Sequence, residues 1–264
     1  MRIGFVTDEI SPDVREAVEI GVSWGINDFE LRMVGDRRVP DIDEGAKQLL
    51  VDLKQQFGIH YTAISPGTFK CPIVDRAQVE KELQHTLPAT FELAKKLGSK
   101  LVIVFGFIRH AEAQPEDRER VLAAFRQTAE MAQEYDLTVC VENEPGFWCD
   151  SGANTAAILA EINHPNLRAN WDPANGVGTG EAPFPDGYRY IKPWMANLHI
   201  KDTEKGALVE CVRVGDGLVD WPGQLKAVQQ EGLLEWVTIE THCLPLVDAS
   251  KQNLQTVRTL LGSD

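Results

Sequence analysis

The 264-residue chain has no run of basic residues, no C-x-x-C pair, no apolar stretch near membrane-spanning length and no low-complexity tract. Each absence excludes a class of protein. Non-specific nucleic-acid affinity comes mostly from clustered Lys and Arg, and here 26 basic residues face 40 acidic ones for a formal charge of −14. No nucleic-acid partner is expected. The five cysteines (Cys71, Cys140, Cys149, Cys211 and Cys243) are odd in number, so neither a disulfide framework nor a thiolate zinc site is expected. A bilayer span needs roughly 20 apolar residues, whereas the opening MRIGFVTDEI soon reaches two acids. The expectation is no membrane partner and a reducing, cytoplasmic setting. The segment TDEISPD after the first apolar run also lacks the G-x-G-x-x-G turn of a dinucleotide-binding domain.

What the chain does have is a globular apolar content of 43% and a regular alternation of short apolar runs with longer helix-period segments. Eight runs read as strands: Ile3 to Thr7, Asp28 to Leu31, Ile59 to Ile64, Leu101 to Phe105, Leu137 to Val141, Leu167 to Trp171, Ala196 to Ile200 and Trp236 to Ile239. Helix starts follow at Ser11-Pro12, Asp41, Asp75 and Pro115, with Ser11 or Asp41 as caps and Gly58 and Gly98 as left-handed stops. Strict alternation calls for a parallel sheet covered by helices. Eight units averaging about 33 residues, with no linker between them, favour a single-domain (β/α)8 TIM barrel over residues 1–264.

Barrel enzymes carry their chemistry at the C-terminal ends of strands, so charged residues that end apolar runs are informative. Glu142, Asp172, His199 and Glu240 do so on the fifth to eighth runs, at intervals of 30, 27 and 41 residues. Alternation along a strand turns Thr138, Cys140 and Glu142 inward and leaves Val139 and Val141 to face helices; Thr238 and Glu240 follow the same rule. Three carboxylates and an imidazole converging on one point repel unless a cation sits among them. Oxygen-rich ligation with one nitrogen and no sulfur favours Mn²⁺, with Mg²⁺, Co²⁺ or Zn²⁺ as alternatives. Lys201, on the same face as His199, would offset the remaining negative charge.

The segments VENEPG (141–146), NWDPAN (170–175), LHIKD (198–202), VGDGLVDW (214–221) and TIETH (238–242) together resemble the xylose isomerase-like TIM barrel superfamily, in particular its sugar phosphate isomerase/epimerase branch. The resemblance implies a divalent metal held by Glu142, Asp172, His199 and Glu240, with Glu142 and Glu240 also serving as catalytic acid and base. It gives the VGDG segment mainly a structural role. Asn175 departs from the pattern: many relatives have His there, and its absence counts against a second metal. Lys201, His242, Asn175, Glu144, Trp148 and Arg213 are candidate substrate contacts; Glu144 and Trp148 lie on a Pro- and Gly-containing loop suited to covering a sugar, and Arg213 offers a planar fork for a carboxylate or phosphate.

The expected activity is isomerisation or epimerisation of a sugar or polyol-like carbonyl compound, by proton abstraction and a metal-stabilised enediolate. A dehydratase on the same scaffold is the alternative. An abasic-site endonuclease, which needs more His ligands and a basic face, and a non-catalytic partner subunit rank below it. Substrate identity, its phosphorylation and self-association of the chain are left open.

Overall fold

Leu101–Phe105 (LVIVF) is buried along its whole length, as a strand is when helices cover one side and neighbouring strands fill the other. It is the fourth strand of a closed parallel barrel: β1 Arg2–Val6, β2 Asp28–Leu31, β3 His60–Ile64, β4 Leu101–Phe105, β5 Thr138–Glu142, β6 Leu167–Trp171, β7 Met195–Ile200 and β8 Trp236–Ile239. Each strand pairs with the next, and β8 closes on β1 with Arg2 opposite Trp236. The computed structural model describes residues 1–205 and 210–262. Among these residues no helix is long and apolar enough to cross a membrane.

Side-chain alternation divides the core into two layers. Cys140 turns inward with Ala63, Leu101 and Ile103 to fill the barrel, while Val139 and Val141 join the larger layer between strands and helices. Glu142, two residues beyond Cys140, therefore emerges at the C-terminal rim on the inner face. Val237 and Ile239 pack outward on β8 in the same way.

The helices start and stop for local reasons, and two starts differ from those expected. Asp13, not Ser11, caps Val14–Ser23, accepting the backbone N–H groups of Arg15 (2.8 Å) and Glu16 (3.2 Å). Ser11 Oγ instead donates to Glu16 and accepts from the Asp13 backbone. Likewise Asp43, not Asp41, caps Glu44–Phe57 through the Ala46 N–H at 2.8 Å. The Asp41 backbone is drawn into a turn by its bond to the Arg38 carbonyl, which leaves Asp43 as the extended residue. Gly58 and Gly98 end their helices in the left-handed region at φ 65° and 71°. The helical stretch from Arg76 to Leu97 widens into a π turn over Glu82–Thr86 just before Pro88, whose ring removes a donor and crowds a regular turn.

The VGDG loop is organised by one buried carboxylate. Asp202, just past β7, accepts the backbone N–H groups of Thr203 (2.9 Å), Gly215 (2.9 Å), Gly217 (3.3 Å) and Val219 (3.2 Å). Asp220 then caps helix Trp221–Glu231 through Gly223, and Asn253 holds Val214 from the last helix. Replacing Asp202 with Ala strands several donors, so chemical denaturation of Asp202→Ala should show a loss of about 3 kcal/mol; an unchanged midpoint would rule out this organising role.

All five cysteines are free, with Cys71, Cys140 and Cys149 buried and Cys211 and Cys243 partly exposed. Burial pushes the Cys71 and Cys140 thiols up to about 12. A thiol with a raised pKa stays protonated and unreactive until the pH approaches that value. Alkylation of the folded protein should therefore modify Cys211 and Cys243 alone, and raising the pH from 7 to 9 should not recruit Cys71 or Cys140. Mass spectrometry of the labelled chain reads the outcome; early labelling of Cys140 would contradict the barrel interior described above.

Candidate metal centre

Parallel pairing aligns the rims of β5 to β8, with Glu142 opposite Asn170 and Thr238 opposite His199. The consequence is that Glu142, Asp172, His199 and Glu240 each offer a ligand atom within 4.8 Å of the others, and all four are buried. Asp172 sits at the N-terminus of the short helix Pro173–Gly176, where its side chain accepts the Asn175 N–H at 3.1 Å. Asn143 clamps the same corner: its amide donates to the Asp172 carbonyl (2.7 Å) and its Oδ1 accepts the Asp172 N–H (2.8 Å).

Cationic groups of the protein surround these carboxylates. Lys201 Nζ lies fully buried, 2.7 Å from Asp172 Oδ2 and 3.1 Å from Glu240 Oε2. On the other side of Glu240, Arg32 Nη1 reaches Oε1 at 2.8 Å, while its Nη2 binds Asp8 (2.7 Å) and Glu9. His242 lies 3.4 Å from Glu240 Oε1 and 2.6 Å from Glu9 Oε1, and Glu9 also accepts its backbone N–H at 2.7 Å. This double grip holds His242 at φ 51°, a conformation that side chains other than Gly rarely adopt. Burial alone would raise the Glu240 pKa, but Lys201, His242 and His199 outweigh it and hold the carboxyl well below its ordinary range.

Glu142 is held differently. Its oxygens accept the neutral amides of Asn170 (3.0 Å) and Asn175 (3.3 Å). His199 lies between the two glutamates, with Nδ1 3.7 Å from Glu142 and 3.5 Å from Glu240, while Nε2 points the other way, 2.9 Å from Glu30 Oε2. Burial favours the neutral imidazole, yet Glu30, Glu142 and Glu240 outweigh it and keep His199 protonated well above the usual histidine range. The cluster thus draws in positive charge wherever the protein can supply it.

The donor set fits a hard divalent cation: three carboxylates and one imidazole, enclosed, with no sulfur among them. A second grouping, Glu9, Glu240 and His242, also lies within 4.8 Å. The Arg32 guanidinium already bonds to Glu9 and Glu240 there, so this grouping carries its own cation in protein form.

The residues proposed as substrate contacts fall into two sets. Lys201, Asn175 and His242 touch the clustered carboxylates themselves. Glu144 and Trp148 lie on the loop after β5: Glu144 pairs with Lys70 at 2.9 Å, Trp148 lies beside Arg109, and Arg213 is exposed beyond the strand Cys211–Val212. Sequence reasoning passed over Glu9, Glu30, Arg32, Lys70 and Asn143. Two of these carried a usable signal, since Glu30 is a charge inside the apolar run FEL and Arg32 ends that run.

Residues 18–260 match the family described as xylose isomerase-like TIM barrel. A 92-residue stretch is 26% identical to 3-dehydroshikimate dehydratase of Bacillus anthracis, spanning 35% of this chain and 32% of that enzyme. Over nearly the whole fold, the crystal structure of the probable 3-DHS dehydratase AsbF from Bacillus anthracis superposes with a TM-score of 0.79 at 18% identity, covering 97% of this chain and 98% of that one. IOLI protein with a bound zinc atom gives 0.83 at 18% identity, covering 99% and 98%. D-allulose 3-epimerase from Methylomonas sp. in complex with D-allulose gives 0.79 at 16%, covering 98% and 96%.

The Glu30–His199 contact yields a direct test. A carboxylate behind a ligand imidazole fixes its orientation, and removing it commonly lowers metal affinity by about 10- to 100-fold. Glu30→Gln should weaken Mn²⁺ binding, read by electron paramagnetic resonance titration of free ion, by an amount in that range. Unaltered affinity would deny Glu30 this positioning role.

Proposed function

Because the chain belongs to the xylose isomerase-like TIM barrel family, we propose that it is a divalent-metal-dependent isomerase or epimerase of a small sugar or polyol-like carbonyl compound, working in a reducing cytoplasm. One observation carries this reading: the convergence of Glu142, Asp172, His199 and Glu240, buried within 4.8 Å of one another at the rim of the barrel. These four would hold the ion, with Mn²⁺ favoured by the donor set. A bound divalent ion polarises a carbonyl and the hydroxyl beside it, which makes the neighbouring C–H more acidic.

The residues divide the remaining work by charge. Against the effect of burial, His199 lowers the pKa of Glu142, whose other partners are the neutral amides of Asn170 and Asn175. Glu240, between Lys201 and Arg32, is held lower still, so Glu142 keeps the greater basicity. Glu142 is accordingly the group that removes the proton. Glu240 stands on the other side of His199 and, being itself ionised, relays to the resulting enediolate a proton from the partly exposed His242 imidazolium 3.4 Å away; water then reprotonates His242 and takes up the proton held by Glu142. Return to the opposite face of the same carbon gives epimerisation, and return to the adjacent carbon gives isomerisation. The Lys201 ammonium, fixed by Asp172 and Glu240, faces the negative charge that develops on the substrate oxygens.

The local identity to a dehydratase supports a second reading. In it the same proton is removed, but a β-hydroxyl then leaves and a conjugated product forms. The two share their first step and differ in the second.

The test supplies Mn²⁺ and a panel of hydroxycarbonyl compounds in D₂O. Wild type should exchange the proton next to the carbonyl, and Glu142→Gln should lose about 10²- to 10⁴-fold of that rate, the usual contribution of a positioned base. Proton return without new ultraviolet absorbance supports the isomerase or epimerase; growth of a conjugated chromophore supports the dehydratase. Full exchange by Glu142→Gln would remove it as the base.

A further inference from the structure

Two arginines stand side by side at the rim after β2, and they are treated differently. All three nitrogens of Arg32 are used, on Asp8, Glu9 and Glu240. Arg38 has a single contact, from Nε to the Ser65 carbonyl at 3.3 Å, and no carboxylate within ion-pair distance among the described residues. Its terminal nitrogens are uncommitted.

The chain is built to put this guanidinium where it is. Met33–Val34 and Arg37–Arg38 form a two-stranded hairpin, with Met33 opposite Arg38 and Gly35 in the left-handed region at the turn. The Val39 N–H then bonds to the Arg32 carbonyl, which fixes Arg38 next to Arg32. On the far side, Gly67 supplies the room. It has φ 75°, and a Cβ there would come within 2.6 Å of Arg38 Nε and 2.8 Å of its Cζ. The loops after β2 and β3 thus form a slot for the guanidinium, and the Ser65 carbonyl sets its plane.

Such a slot has an energetic cost. Arg38 is largely removed from water, and burial together with the like charge of Arg32 disfavours its protonated form. Its hairpin follows β2 and is bonded to Arg32, whose Nη1 reaches Glu240, so Arg38 stands on the same rim as the carboxylate cluster, where Asp8, Glu142 and Glu240 are already paired with other groups. An anion with two acceptor oxygens would satisfy the free edge of the fork and offset the repulsion from Arg32.

We propose that Arg38 is the specificity residue of this site and that the substrate is an anionic hydroxycarbonyl compound, whose carboxylate or phosphate group docks on the free edge of Arg38 while its carbonyl end lies over Glu142 and Glu240. This rests on the reading of the site given above. It narrows the substrate from sugars and polyols in general to those bearing a negative charge.

The experiment has two arms. In the first, calorimetry on Mn²⁺-loaded protein compares neutral dihydroxyacetone with dihydroxyacetone phosphate and with hydroxypyruvate, which separates phosphate from carboxylate. At least one anionic probe should bind about tenfold or more tightly than dihydroxyacetone, the scale of one charge-assisted contact. Arg38→Met should lose that margin while keeping the affinity for dihydroxyacetone. In the second arm, thermal unfolding of metal-stripped protein is followed in phosphate and in malonate. Wild type should be stabilised by one of them, since a ligand bound only by the folded state raises the unfolding temperature, and Arg38→Met should not. Should Arg38→Met fail to fold, Arg38→Lys keeps the charge but loses the fork, and it should lose most of the anionic margin.

A margin that survives in the folded variant overturns the proposal, and so does a wild type with neither margin nor stabilisation. Failure to bind Mn²⁺ would instead strike the proposed function, and the second arm would still report on Arg38.

Discussion

The rim of this barrel is governed by the cost of burying negative charge. Glu142, Asp172, Glu240, Glu30, Glu9 and Asp8 are gathered at the C-terminal rim from β1, β2, β5, β6 and β8, most of them out of contact with water. A carboxylate loses several kcal/mol of hydration when enclosed, and only opposite charge or directed hydrogen bonds restore it. The protein answers with two fixed cations, Lys201 and Arg32, and with two imidazoles, His199 and His242. The arrangement still leans negative at the point where Glu142, Asp172, His199 and Glu240 meet, which is the electrostatic condition for drawing in a divalent ion.

The same constraint separates the two glutamates. Glu240 is gripped by Arg32 and Lys201, whereas Glu142 is held by two amides and by His199 at 3.7 Å, so residues of one type at equivalent strand ends acquire different basicities. It also explains the amides around them. Asn143 and Asn175 tie the ends of β5 and β6 without adding charge to a crowded site, and Asn170 does the same between Glu142 and His199. Arg38 belongs to this network by contrast. It is the guanidinium next to the fully committed Arg32 whose outer edge meets no carboxylate among the described residues.

The barrel was legible because its signal is repeated. The eight apolar runs correspond to the eight strands within a residue or two at each end, and side-chain alternation placed Cys140 and Val141 on their correct faces. The helix starts at Ser11 and Asp41 were displaced by two residues for a local reason: several polar residues near a helix start can serve as a cap, and the backbone conformation of the loop selects among them. The four strand-end residues were visible because they interrupt apolar runs at similar heights, and the structure brings them together. Glu9, Arg32 and Lys70 follow the early strands, where the same rule was not pressed, and their partners lie on distant strands.

The sequence by itself determined the parallel barrel, through the period of its apolar runs, and the residues that end its last four strands. Only the tertiary structure decided which charges pair. Arg32 and Glu240 are 208 residues apart, His199 and Glu30 are 169, and their contacts exist only because barrel closure lets side chains on and just after β2 meet those of β7 and β8 inside the barrel. Periodicity is a property of neighbours along the chain and can be read from it. The balance of a buried charge depends on every group within a few ångströms, and that set is fixed by closure.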